Sequence, residues 1–300
     1  MRRLTENGRE VRGVDNLARG KIRNLEGIRL DQINADLRDY QQTLKVIAGA
    51  DIVYHLAGRV GNITFLHGDS AMELETMRTN LVIDANVLRA CEDVGVRKLV
   101  YASSVSVYPI TKQSGIGARF SECDIEPIKP DGGYGWAKLI GEIQAGLMKS
   151  CNVSVARIFE TYGPRMALDS SAQVVPSLII KALGPTDNLD VWGDGNQTRN
   201  LLYIDDLVDA LLTMGEKADD SRLTLNIGNP NTVSIRELAL TILRVCGKKA
   251  NLIFDITRPI GPVSRIPDIR RAQEVLKWYP RVELEEGIGK TLEWIKNQHI

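Results

Sequence analysis

The chain has 300 residues, 43% of them hydrophobic and 25% charged, with 38 lysines plus arginines against 38 aspartates plus glutamates. That length suits one large domain or two smaller ones sharing a cleft, and the composition is that of an ordinary globular protein. A zero charge balance excludes the long-range positive field of a general nucleic-acid or acidic-membrane binder, so an anionic ligand would be held by particular arginines.

Residues 2–7 read as the tail of a helix stopped by Gly8, and residues 10–14 as a strand ending at Asp15. Strands are then expected at 32–35, 51–56, 98–102 and 153–157, with helices at 41–47, 71–93 and 136–149 between them. Alternation of this kind predicts an α/β fold, a Rossmann-like doubly wound parallel sheet whose ligands bind at the carboxyl ends of the strands. Such a fold normally opens with a strand, a glycine-rich turn and a helix whose N-terminus holds a pyrophosphate. The sequence enters at the tail of that helix, so the first strand and its turn are expected to be lacking. A fold beginning with a different element is the alternative.

Beyond residue 160 the rhythm becomes irregular. Helices are expected at 174–183, 205–214, 234–245, 269–276 and 284–297, with short strands at 189–192, 201–204 and 223–227. Ser234 and Glu237 have the spacing of a capping box. Two units follow: residues 1–163 as a cofactor-binding domain, and residues 164–300 as a smaller substrate lobe interleaved with the last sheet elements. Trp192 is expected to fill the core of that lobe, the alternative being that it packs against the base of a bound nucleotide. Cys91, Cys123, Cys151 and Cys246 form no CxxC pair and read as buried free thiols, which implies a reducing compartment. No apolar run approaches the roughly 18 residues of a membrane span. Without the apolar core of a signal peptide at its start, the chain is assigned to the cytoplasm.

Chemistry enters with Tyr134 and Lys138, four residues apart at the start of an expected helix and so on one face of it. A phenol ordinarily titrates near ~10, too high for a base at neutral pH, and a nearby ammonium favours the phenolate. Upstream, the apolar strand at 98–102 runs into Ser103, Ser104, Val105 and Ser106. A serine at a strand's carboxyl end can hydrogen-bond both a substrate hydroxyl and the tyrosine oxygen.

Val-Asp-Asn-Leu, Ala-Asp-Leu-Arg-Asp, His-Leu-Ala-Gly, Tyr-Ala-Ser-Ser-Val-Ser-Val-Tyr-Pro, Tyr-Gly-Trp-Ala-Lys, Arg-Ile-Phe-Glu-Thr-Tyr-Gly-Pro-Arg and Trp-Gly-Asp-Gly-Asn-Gln-Thr-Arg follow one another along the chain. In this order they resemble the NAD-dependent nucleotide-sugar epimerases and dehydratases, extended members of the short-chain dehydrogenase/reductase type. The resemblance implies NAD as cofactor, with Asp15 and Asn16 at the adenosine ribose and Asp36 and Leu37 at the adenine. It implies Leu56, Ala57 and Gly58 in the loop beneath the cofactor, Asn80 behind it and Ser103 beside it. Ser104, Tyr134 and Lys138 match the catalytic triad. Ser106, Glu160, Arg199 and either Arg258 or Arg265 match positions at the substrate, the arginines clamping its diphosphate. A homodimer through the helices at 71–93 and 136–149 is also implied.

Within this family the 4,6-dehydratases resemble one another in carrying Asp-Glu after the catalytic hydroxyl, where this chain has Val105 and Ser106. Decarboxylases of UDP-glucuronate carry a glutamate in that loop, and none is found here. The wording is nearest to the GDP-mannose 3,5-epimerases, whose acid/base cysteine and lysine would fall at Ser106 and near Asp169. A serine hydroxyl is too weak an acid to stand in for the thiol. The triad and NAD suffice for epimerisation at the sugar 4-position through a transient 4-keto sugar, and that is the function expected. Glu160 stands where the family usually has asparagine, and its carboxylate would repel phosphate unless Arg165 or another cation pairs with it. The rival of another class is a non-catalytic scaffold or sensor that has lost cofactor binding.

Overall fold

The computed structural model describes residues 1–113, 115, 117–185, 187–217 and 223–298. Its central feature follows from the apolar run after Lys98. Lys98–Ser104 is buried along nearly its whole length and pairs in parallel with Ile52–His55 on one side and Asn152–Ile158 on the other. Leu223–Ile227 adds a fourth parallel strand beyond Asn152–Ile158. Side chains alternate across the sheet. Leu99 and Val153 join a core with Val87 and Ala145 of the helices Ser70–Asp93 and Gly132–Leu147. On the opposite face Val100, Ala156 and Leu225 meet Leu207, Leu211 and Met214 of the helix Ile204–Glu216, together with Trp278. Helices cover both faces, as a doubly wound sheet requires.

Gly8, at φ 72°, turns the chain after the helix Arg2–Glu6, as expected from its place in the sequence. Arg12–Asp15 and Asp31–Asn34 then form a separate parallel pair. Among the described residues no backbone ladder joins this pair to the four-stranded sheet. Apolar packing does: Val14 and Ile33 lie against the core that holds Leu99 and Val153.

In the second half, Ser234 and Glu237 form the expected capping box at the start of Ile235–Cys246. The helices Val174–Leu183, Ile235–Cys246 and Leu284–Lys296 enclose a core of Ile179, Leu238, Ile242 and Ile288. Three features depart from expectation. The strand predicted at 98–102 runs on through both serines to Ser104, because Ser103 and Ser104 stay in register with Arg157 and Ile158. The predicted strand at 189–192 leaves the central sheet and pairs in parallel with Asn251–Asp255, an element not anticipated. The one-turn helix Ile63–His67, capped by the Asn62 side chain, was also not anticipated.

All four cysteines are free, but only Cys91 and Cys151 are buried. Cys123 is exposed and Cys246 intermediate. Cys123 lies in a polar loop with Ser121, Glu122 and Asp124, which are only partly buried and leave the thiol at the surface. Burial pushes the Cys91 thiol up to about 12 and that of Cys151 up to about 11. At pH 8 the native protein is therefore expected to give a fast phase in Ellman titration from Cys123, with Cys91 and Cys151 reacting only in denaturant. Rapid native labelling of Cys91 would contradict its burial. Among the described residues no helix is long and apolar enough to cross a membrane, and no cluster of histidine, cysteine and acidic side chains could hold a metal ion.

Candidate active site

Gly132–Leu147 begins at Asp131 and carries Tyr134 and Lys138 one turn apart, facing the carboxyl ends of the central strands. Two glycines allow the helix to lie this close. A Cβ at Gly135 would come 2.3 Å from the Ser106 carbonyl oxygen, and one at Gly141 would come 2.0 Å from the Tyr101 hydroxyl. Ser104 ends its strand in register with Ile158, and its Oγ accepts a hydrogen bond from Ser106 N at 3.1 Å, leaving the hydroxyl proton to donate. Ser104, Tyr134 and Lys138 all line one cavity of about 750 Å³ between the sheet and the helices Val174–Leu183 and Ile204–Glu216. Cavities of this order hold small ligands.

Lys138 is almost fully buried, and its surroundings contain a residue that motif reading missed. Asp84, wholly buried in Ser70–Asp93, lies 3.6 Å from Lys138 Nζ through Oδ1. The same oxygen is 2.8 Å from His55 Nε2, and Oδ2 accepts a hydrogen bond from Tyr101 Oη at 2.6 Å. Burial alone would raise the Asp84 carboxyl, but Lys138, His55 and Tyr101 together hold it below the usual carboxylate range. Burial, with Asp84 beside it, pushes the Tyr101 hydroxyl far upward, so it remains a neutral donor. Asp84 follows Asn80 by one helical turn and shares its face, the only signal in the sequence for an inward carboxylate.

Asn80 is also wholly buried. Its Oδ1 accepts from Arg59 N at 2.7 Å and its Nδ2 donates to Arg59 O at 3.0 Å, which pins the loop after Ile52–His55. Leu56, Ala57 and Gly58 of that loop line the cavity. Gly58 passes so close to Asn80 that a Cβ would sit 3.0 Å from Oδ1. Ser103 and Ser106 line it too, although Ser103 Oγ is committed to Glu142 at 2.5 Å, and Glu142 in turn holds Arg157 at 2.7 Å.

Four of the expected cofactor residues lie apart from this cavity, at the ends of the two-stranded pair. Asp15 and Asn16 accept hydrogen bonds from the backbone of Leu17 and Ala18. Asp36 is held by Arg38 at 2.7 Å, which lowers its carboxyl to about 2, and Leu37 packs on the core beneath the pair.

Of the substrate candidates, Glu160, Arg199 and Arg265 line the cavity, whereas Arg258 is drawn outward to Asp255 at 3.2 Å. Arg199 donates to the carbonyls of Thr198, Pro262 and Ile260 at 2.7, 3.1 and 2.6 Å. Burial lowers its guanidinium, against the opposing pull of Glu160. Arg265 donates to Gln113 and pairs with Asp131. Trp192 is 37% exposed and lines the cavity, so it does not fill the lobe core as expected. It stands at the end of its strand, with Lys181 and Arg258 near its ring.

A serine, a tyrosine and a buried lysine at the carboxyl edge of a doubly wound parallel sheet define an enzyme of the short-chain dehydrogenase/reductase type. The model of the NAD dependent epimerase/dehydratase family matches residues 1–228, and the chain belongs to that family. It is 33% identical to GDP-mannose 3,5-epimerase of Arabidopsis thaliana over 271 residues, covering 88% of this chain and 70% of that protein. It is 32% identical to UDP-glucuronic acid decarboxylase 1 of Xenopus tropicalis, over 99% of this chain and 68% of that one. Among solved structures it is similar to UDP-glucose 4-epimerase of Thermotoga maritima, crystallised with UDP-glucose. The TM-score is 0.86 at 25% identity, with 99% of this chain and 94% of that chain covered.

Proposed function

We propose that the protein is an NAD-dependent nucleotide-sugar epimerase that inverts the sugar 4-position through a transient 4-keto sugar. The observation that carries this reading is the convergence of Ser104, Tyr134 and Lys138 on one cavity at the carboxyl end of the sheet.

The residues present suit NAD at both of its ends. Gly58, closed against Asn80, leaves space beside Lys138 for the nicotinamide ribose, and Asp15, Asn16, Asp36 and Leu37 at the outer pair suit the adenosine. Asp15 favours a free ribose 2′-hydroxyl over a 2′-phosphate, hence NAD over NADP. The chemistry that NAD supplies when bound is reversible acceptance of a hydride. Ser104 orients the sugar 4-hydroxyl, and Tyr134 takes its proton and later returns it. Lys138, anchored by Asp84, holds the ribose. Val105 and Ser106 offer no acid for a 4,6-elimination. Asp169, at the position of a second acid/base group, accepts from Ser171 N and Oγ, which lowers its carboxyl and makes it a poor proton donor.

On this reading residues 1–163 carry the cofactor and residues 164–300 the nucleotide sugar, and the free thiols fit the cytoplasm. The subunits pair through Ser70–Asp93 and Gly132–Leu147, whose Val82, Trp136, Ile143 and Leu147 are exposed at 43%, 40%, 55% and 72%. Replacing Ile143 and Leu147 together by glutamate is expected to weaken a dimer by about 100-fold or more, read as a monomer by light scattering. An unchanged mass would place the interface elsewhere. The function itself is tested by incubating the protein and NAD with UDP-glucose, UDP-glucuronate and GDP-mannose. A 4-epimer from one of them is expected, and its absence from all three would refute the reading.

A further inference from the structure

We infer that Glu160 selects the class of sugar: the substrate carries an uncharged sugar that offers this carboxylate a hydroxyl or amide N–H donor, and a uronate is refused. The inference rests on the nucleotide-sugar reading above and adds to it the chemistry of the sugar.

Glu160 follows Ile158 by two residues, and Ile158 is the register partner of Ser104 on the neighbouring strand. The glutamate thus leaves the sheet beside the catalytic serine, and it lines the same cavity. Its backbone is fixed there, since Leu202 N donates to the Glu160 carbonyl at 2.9 Å. Its carboxylate Oε2 is closed off from solvent and has no hydrogen-bond partner, a costly state for a buried oxygen.

The neighbouring cations do not supply the missing bond. Arg165, the expected partner, is exposed. Arg199 lies close enough to attract Glu160 but donates to the carbonyls of Thr198, Pro262 and Ile260. Arg265, which lies near Arg199, is committed to Gln113 and Asp131. Together these guanidiniums provide a field that makes a carboxylate tolerable at this point without satisfying its hydrogen-bonding capacity. A sugar hydroxyl or an N-acyl N–H would satisfy it when the side chain turns into the cavity. A sugar carboxylate would set two like charges together in a partly desolvated site. A sugar ammonium would meet the field of Arg199 and Arg265.

Calorimetric titration of the full chain with NAD present tests this without requiring turnover. The probes are UDP-glucose against UDP-glucuronate and GDP-mannose against GDP-mannuronate, so that each pair shares its base. With the better-bound base, the wild type is expected to bind the neutral sugar at least about 10-fold more tightly than the uronate. Glu160→Gln, nearly the same shape, is expected to narrow that ratio by about 10-fold, chiefly by gaining affinity for the uronate. Equal binding of the two sugars by the wild type, or an unchanged ratio in Glu160→Gln, overturns the assignment of Glu160 alone. Failure of all four probes to bind overturns it together with the nucleotide-sugar reading.

Discussion

Tyr134→Phe is expected to lower kcat for 4-epimerisation by about 1,000-fold, within the range found for loss of a positioned acid–base group. The ring remains to fill its place one turn before Lys138, so KM should stay within about threefold and the melting temperature should hardly move. The split between kcat and KM is the informative part. A side chain that merely packed would tolerate loss of one oxygen, and a group that only bound substrate would change KM instead. A variant with kcat within threefold of wild type would remove Tyr134 from the proton-transfer step.

The largest effect on stability is expected at Asp84. Asp84→Leu leaves Lys138 buried without its counter-ion, and Tyr101 and His55 without their acceptor. Breaking a buried ion pair from one side costs about 3–5 kcal/mol. For a chain of this size that is a fall in Tm of roughly 5–8 °C. Asp84→Asn keeps one acceptor oxygen, for Tyr101, but turns an amide NH2 toward Lys138 and His55; with shape and one hydrogen bond retained its loss should be smaller, about 1–3 kcal/mol. The pH dependence follows from the depressed Asp84 carboxyl. A carboxyl held lower in the folded than in the unfolded state contributes stability that is present above the unfolded value of about 4 and fades as pH falls through the folded one. The gap in stability between wild type and Asp84→Asn should therefore be full at pH 7 and shrink on acidification below about pH 4. A gap independent of pH would show that the charge of Asp84 contributes nothing.

Much of this architecture was legible in the sequence, for reasons that are local. The strands around Leu99, Val153 and Leu225 are short apolar runs buried on both faces, and parallel sheets leave that signature. The tyrosine and lysine could be paired before any coordinates because helical periodicity alone puts them on one face. Ser104 lines the same cavity as they do, although its strand continues further than the apolar run suggests.

The features that escaped depend on long-range packing. Asn251–Asp255 finds its partner more than sixty residues away in Asn188–Trp192, and nothing within its own five residues specifies that pairing. Trp192 was expected in a core before packing against a base, yet it ends a strand at the cavity with cations around its ring. Cys123 was grouped with the buried thiols despite its polar neighbours. Asp84 matched no motif, and only the fold brings it to His55, Tyr101 and Lys138. The two arginines at the cavity were readable as types, but their donors are taken up by carbonyls and by Asp131, which only tertiary structure reveals.

The most direct test of the chemistry is to run the reaction in heavy water and locate deuterium in the sugar ring by NMR. Inversion at the 4-position by removal and return of one hydride predicts a 4-epimer with no deuterium bound to carbon. Deuterium at carbon 3 or 5, or a product that has lost water or carbon dioxide, would contradict it.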